Sequence, residues 1–161
     1  MTGRLATRSP DVDLPTVADG GTVLLATFDV PFDEAAASFA VHAAVDSGRA
    51  LIVANFVELP PLPLSVMMGH DMLDYTPELA ASLLWPVQRA QALGVDVERI
   101  RVKSFRRTDA LVEVARERNV RLLVLGPDRE KVSPRLYRKA AAAARERLDC
   151  LVWISWEIPS A

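Results

Sequence analysis

The segment from Ala50 to Val57 (ALIVANFV) is apolar at every position except Asn55. A strand with one wet face alternates apolar and polar residues. A short run without alternation reads as a strand covered on both faces, as in a parallel sheet between two helical layers. Val120 to Leu125 (VRLLVL) reads the same way. Val23 to Thr27 (VLLAT) enters from the Gly20–Gly21 pair, and Cys150 to Trp156 (CLVWISW) supplies a last strand. Val95 to Val102 alternates instead, with Val95, Val97, Ile100 and Val102 apolar, and is expected at an edge.

Helix signals fall between these runs. Asp33 suits the N-cap of an Ala-rich helix to about Asp46, with Gly48 as its stop. Thr76 and Pro77 read as N-cap and first helical position of a helix to Leu93, bent at Pro86 and stopped by Gly94. Thr108 is expected to cap a helix whose Leu111, Val112, Val114 and Ala115 fall at helical spacing. Ser133 and Pro134 start a last helix that runs through alanines to about Leu148. The order is β-α-β-α-β-α-β-α-β. Each helix is long enough to connect parallel neighbours, and such crossovers are right-handed. The expected architecture is α/β: a doubly wound, five-stranded, mostly parallel sheet with helices on both faces. It occupies residues 21–158 after a loose lead-in over 1–20, with no repeat and no second domain. The chain's 161 residues suffice to bury a full core without a disulfide or metal.

Cys150 is the one cysteine, so no disulfide can form within these residues, which fits a reducing compartment. The polar N-terminus, with Pro10 and Pro15, lacks the apolar stretch of a secretory signal. No stretch reaches the roughly 18 apolar residues of a membrane span. A cytoplasmic location follows as the expectation, with neither nucleic acid nor membrane as partner. The net charge of −2 hides an asymmetry: residues 1–98 hold 4 basic against 13 acidic residues, and residues 99–147 hold 15 against 6. One reading is helix faces that attract each other across the fold; the other is an anion site in the basic half.

Arg129, Lys131, Arg135, Arg138 and Lys139 flank the helix start at Ser133, where free backbone amides favour anions. The segment is either a solvated basic face or an anion site. His70, Asp71 and Asp74 are close in sequence but lack a fourth partner for a metal. His42 and Asp46 have the spacing of a surface pair on one helix. Ser65, Ser104 and Ser133 lack a nucleophile-elbow context, and Cys150 enters a buried strand as a structural thiol. Met67, Met68 and Met72, with Leu64 and Leu73, line a flexible apolar pocket or cap the sheet. Trp85, Trp153 and Trp156 serve packing or an interface. No set of catalytic residues emerges, so no enzyme is expected. The apolar, aromatic run Leu151, Val152, Trp153, Ile154, Ser155 and Trp156 would lie at a sheet edge and invite a homodimer.

A strand running into Thr27, Phe28 and Asp29, followed by an Ala-rich helix, resembles the opening of the universal stress protein family. Residues 121–126 (RLLVLG), a polar loop, a helix and then residues 150–154 (CLVWI) resemble its close. The proline-rich, methionine-containing stretch from Glu58 to Tyr75 sits where that family has a variable connection. The resemblance covers about residues 21–156 and implies a Rossmann-like fold of the adenine nucleotide alpha hydrolase-like kind. Nucleotide-binding members carry Gly-x2-Gly-x9-Gly-Ser/Thr after the fourth strand, where glycines admit phosphates to backbone amides. Here the four positions fall on Gly126, Arg129, Lys139 and Ala140. Asp29 corresponds to the acidic residue that ends the first strand near the nucleotide.

The resemblance therefore implies a divergent member without a cofactor, which does not hold ATP in the usual way. It would act as a non-enzymatic stress-response or regulatory module with a regulatory protein partner. Family members commonly dimerise through the last strand, here Leu151 to Ile154 and Trp156. The alternative is a nucleotide-binding member with ATP as cofactor and a rearranged basic loop, built from Asp29, Gly126, Arg129, Ser133, Arg135 and Lys139, with slow hydrolysis. A receiver-type phosphorylation domain is disfavoured, since Val102, Lys103 and Ser104 end the third strand where an aspartate is needed.

Overall fold

The computed structural model describes residues 20–59 and 76–154. Five strands, β1 (Thr22–Thr27), β2 (Ala50–Glu58), β3 (Val97–Ser104), β4 (Val120–Leu125) and β5 (Leu151–Ile154), form one sheet in the order β3-β2-β1-β4-β5. Every pairing is parallel. The helices between them are α1 (Glu34–Ser47), α2 (Pro77–Ala92), α3 (Arg107–Glu117) and α4 (Pro134–Arg147).

Period-two alternation sorts the strand residues between two cores. Val23, Leu25, Leu51, Val53 and Val124 face α1 and α2, while Leu24, Ala26, Ile52, Ala54, Leu123 and Leu125 face α3 and α4. This two-sided burial is why the β2 run shows no alternation in sequence: seven consecutive residues, Leu51 to Val57, are buried. The chain moves outward from β1 to β3, then crosses the sheet to β4. The strand order therefore reverses between β1 and β4, where doubly wound sheets open a crevice at their C-terminal ends.

The caps explain most helix boundaries. Asp33 Oδ2 accepts from the Ala36 amide at 3.0 Å, and Gly48, at φ 70°, closes α1 in the left-handed conformation. Thr76 Oγ1 accepts from Leu79 at 3.2 Å, and Ser133 Oγ from Leu136 at 3.3 Å. Two expected boundaries shift. Thr108 is not a cap: α3 begins at Arg107, the cap position is Arg106, and Thr108 is buried in the first turn. Ser104 Oγ accepts from the Arg106 amide at 2.9 Å, so the turn after β3 closes early. The third strand starts at Val97 rather than Val95, because the Val95 amide donates to Ala90 O at 2.9 Å and still belongs to the end of α2.

The charge asymmetry is spent largely across the fold. Glu58, Glu78 and Glu98 of the acidic half pair with Arg107, Lys131 and Arg118 of the basic half. Such exposed pairs contribute about 0–1 kcal/mol each. His42 and Asp46 are both exposed and form no ion pair among the described residues, so the expected surface pair on α1 is absent.

The loops after β1 and β4 are stitched together by backbone. The Asp33 amide donates to Gly126 O at 2.8 Å, the Asp128 amide to Pro31 O at 2.8 Å, and the Gly126 amide to Ala26 O at 2.9 Å. Phe32 and Pro127 form an antiparallel bridge. A Cβ on Gly126 would come within 2.9 Å of Leu25 Cδ1, 3.2 Å of Ala36 Cβ and 3.3 Å of Phe32 Cδ1. Leu25 and Ala36 are wholly buried and have little room to move. Gly126→Ala is expected to lower unfolding stability by about 1–3 kcal/mol, the usual range for overpacking. Denaturant unfolding measures this, and an unchanged midpoint would show that the junction yields.

Candidate functional site

The switch-point crevice is where the fold would place a ligand. Its floor is Gly126, and the space that this glycine leaves open is filled by the protein itself, by Leu25, Phe32 and Ala36. On the β2 side, Asp29 adopts the left-handed conformation at φ 63°. Asn55 holds it there: the Asp29 amide donates to Asn55 Oδ1 at 2.6 Å, and Asn55 Nδ2 donates to Asp29 Oδ1 at 3.4 Å. Asn55 is buried to 1% exposure, so the lone polar residue of the β2 run has a structural task at the end of β1. Above it, Arg107 donates from Nη1 to Phe28 O at 3.4 Å, and its guanidinium lies 5.9 Å from the centroid of the Phe28 ring.

The loop between β4 and α4 uses most of its own polar groups. Asp128 Oδ1 accepts from the Glu130 amide at 2.9 Å, and Asp128 O accepts from the amides of Lys131 and Val132, both at 3.0 Å. The Arg129 guanidinium lies 4.4 Å above the Tyr137 ring. Lys131 Nζ donates to Glu78 Oε2 at 2.6 Å, and this contact raises the lysine pKa above its ordinary value. At the start of α4, Pro134 has no amide hydrogen and Ser133 occupies the Leu136 amide, which leaves Arg135 as the donor of that turn. Arg135 is exposed.

Lys139 and Ala140 do not belong to this loop. The helix begins at Pro134, so counting along the family spacing carries both positions into α4, where Ala140 is fully buried and Lys139 is exposed. The candidate anion set is thus divided. Asp29 is tied to β2, Gly126 to the β1–β4 junction, Arg129 to Tyr137, and Lys139 lines a cleft shared with the start of α3.

Beside the junction, α1 and α2 border an open groove of about 910 Å³. Asp33, Glu34, Glu78 and Asp128 line it, with the half-exposed Trp85. A polyphosphate entering here would meet like charge.

Other candidates resolve as structure. Ser104 and Ser133 accept hydrogen bonds at helix starts. Burial pushes the Cys150 thiol pKa up, which disfavours the reactive thiolate. Among the described residues no group of three metal-ligating side chains exists, and no helix is long and apolar enough to cross a membrane. Ser65, His70, Asp71, Asp74, the methionine cluster and Trp156 lie outside the described residues.

At the other edge, Leu151 is 74% exposed, Val152 and Ile154 are half-buried, and Trp153 stacks on Phe39 of α1 with ring centroids 4.7 Å apart. Sequence reading missed the roles of Asn55 and Arg107. Only Asn55 carried a signal, as a polar interruption in an apolar run.

A universal stress protein solved in complex with cAMP superposes on this chain with a TM-score of 0.59 at 23% identity, over 85% of this chain and 98% of that one. A member of the universal stress protein family from Burkholderia pseudomallei gives 0.60 at 20% identity, over 89% and 98%. The universal stress protein from Archaeoglobus fulgidus in complex with dAMP gives 0.54 at 18% identity, over 84% and 98%. These likenesses establish the fold. No curated protein is similar enough to match. The family model of the universal stress proteins matches residues 21–154, from the first strand to the last, and the chain belongs to the universal stress protein family.

Proposed function

We propose that this universal stress protein domain is a non-enzymatic regulatory module that does not hold ATP in the family's usual way. The observation that carries the reading is the filled junction at the switch point. Gly126 serves close packing against Leu25, Phe32 and Ala36, and the hydrogen bonds on either side of it are made within the protein. The loop after β4 adds few donors for phosphate oxygens, since Arg129 rests on Tyr137, Lys131 is paired with Glu78, and Pro134 lacks an amide hydrogen. A regulatory protein is the partner this reading implies.

A second reading, nucleotide binding through a rearranged basic loop, is favoured by the cAMP and dAMP complexes of two structural neighbours. In that reading Arg129 leaves Tyr137 to meet the phosphates, and Arg135 with the Ser133 hydroxyl completes the site. Titration calorimetry with Mg-ATP separates the two. The first reading expects no dissociation constant in the low micromolar range or tighter; a constant in that range would overturn it in favour of the second.

The domain is further proposed to form a homodimer through β5. Among the described residues this strand pairs on one side only, with β4, and an unpaired edge invites association. Leu151 presents an apolar side chain at the same edge. Sedimentation at micromolar concentration should give a dimer, and Leu151→Lys should shift it toward monomer without loss of fold. Trp153 is a poorer probe, because its stacking on Phe39 couples it to the core. A wild-type monomer would refute the dimer, and a Leu151→Lys dimer of wild-type strength would move the interface elsewhere.

A further inference from the structure

Glu58, Glu78 and Glu98 spend part of the acidic surplus of residues 1–98 on the basic half. A further share of acid collects at one place. Asp33, Glu34, Glu78 and Asp128 border the groove of about 910 Å³ at α1 and α2, and among the described residues no basic side chain lines it. Asp33 accepts from the Ala36 amide and Asp128 from the Glu130 amide, and neither forms an ion pair among the described residues. Glu34 is exposed and forms none either. Glu78 has a cation, Lys131, in an exposed pair of the kind that contributes about 0–1 kcal/mol.

Acidity alone would make only a solvated surface, but this groove also has apolar walls. Phe32, Ala37 and Ala81 line it beside Trp85, which is 47% exposed. Tryptophan is a residue type concentrated at protein interfaces, and the face of its ring attracts a guanidinium. The helix adds an acceptor on the same wall. Pro86 has no amide hydrogen to give to Ser82 O, four residues earlier in α2. The Ser82 hydroxyl is already used, since it accepts from the Phe32 amide at 2.8 Å. The groove therefore combines carboxylates, a backbone acceptor and an open indole, with room for several side chains.

We propose that the groove docks an arginine-bearing segment of a partner protein. A guanidinium stacks on the Trp85 indole and donates to the carboxylates of the groove, and the residues flanking that arginine rest on the apolar wall. Charge complementarity selects a basic segment, and the indole selects arginine over lysine. A guanidinium is planar, weakly hydrated and carries five donors to share among several acceptors, whereas an ammonium is a strongly hydrated point charge. Drawing Glu78 away from Lys131 costs little, because that pair is exposed. The proposal rests on the reading of this domain as a regulatory module and names the chemistry of its partner.

The test is a titration of the 15N-labelled protein with a capped peptide of alternating arginine and alanine, and with lysine and glutamate versions of it, at fixed ionic strength. Saturable shifts of the Trp85 indole and of the Glu34, Ser38 and Ser82 amides are expected with the arginine peptide. The lysine peptide should bind about two- to fivefold more weakly, and the glutamate peptide should cause no saturable shift. Trp85→Ala should weaken the arginine peptide by about fivefold and remove its advantage over lysine. Glu34→Gln should weaken it by about threefold at low salt, an effect that fades as salt is added. Glu113→Gln, an exposed carboxylate on α3 under the other face of the sheet, should leave binding unchanged. Shifts on another surface, or none that saturate, would overturn the proposal. So would equal binding of the lysine peptide, or Trp85→Ala and Glu34→Gln variants that bind like wild type. If Trp85→Ala fails to fold, Glu34→Gln and the lysine peptide decide. A low-micromolar Mg-ATP constant with the peptide shifts intact would overturn the reading of the crevice and keep the groove, whereas the absence of both would overturn the groove alone.

Discussion

The backbone exchange between the loops after β1 and β4 is the constraint on which the rest of the site depends. Three hydrogen bonds of 2.8–2.9 Å and one antiparallel bridge join segments that are nearly a hundred residues apart in the chain. They sit where the direction of winding reverses, so they tie the first βα unit to the fourth. Gly126 makes the junction possible by presenting no side chain to Leu25, Phe32 and Ala36. The same contacts set the entry of α1, since Asp33 uses its amide in the junction and its carboxylate as the helix cap. Stability and the shape of the site are therefore one problem here: opening the crevice would release the start of α1 and the loop before α4 together.

Polar groups near the strand ends follow from the same geometry. Asn55 is placed beneath the turn that leaves β1 and secures the left-handed Asp29. Arg107 reaches from α3 to Phe28 O and to Glu58, joining the ends of β1 and β2. Positive charge from the C-terminal half is thus drawn toward the strand ends and matched by carboxylates from the N-terminal half.

The sheet was legible because its signal is local and repeated. Largely apolar runs at β1, β2 and β4, with Asp33, Thr76 and Ser133 as caps, specify parallel strands under two helical layers. The alternation in the third strand correctly marked an edge, although its register was two residues off because the end of α2 borrows Val95. The site was less legible. Placing Lys139 and Ala140 in the phosphate loop assumed a fixed spacing after Gly126, but a serine followed by proline begins α4 earlier and carries both into the helix. Thr108 was misread as a cap since threonine usually is one; only the position of Ser104 two residues before Arg106 moves the helix start.

Native-state hydrogen exchange at the amides of Asp33, Gly126 and Asp128 tests the filled junction most directly. Protection tracks the free energy of the opening that frees each amide. If the junction is part of the fold's framework, these three amides exchange with the same free energy as the buried strand amides of Leu24 and Val124, and Mg-ATP leaves their rates unchanged. Exchange through a separate low-energy opening, slowed when Mg-ATP is added, would mean that the crevice opens to admit the nucleotide and would contradict the account.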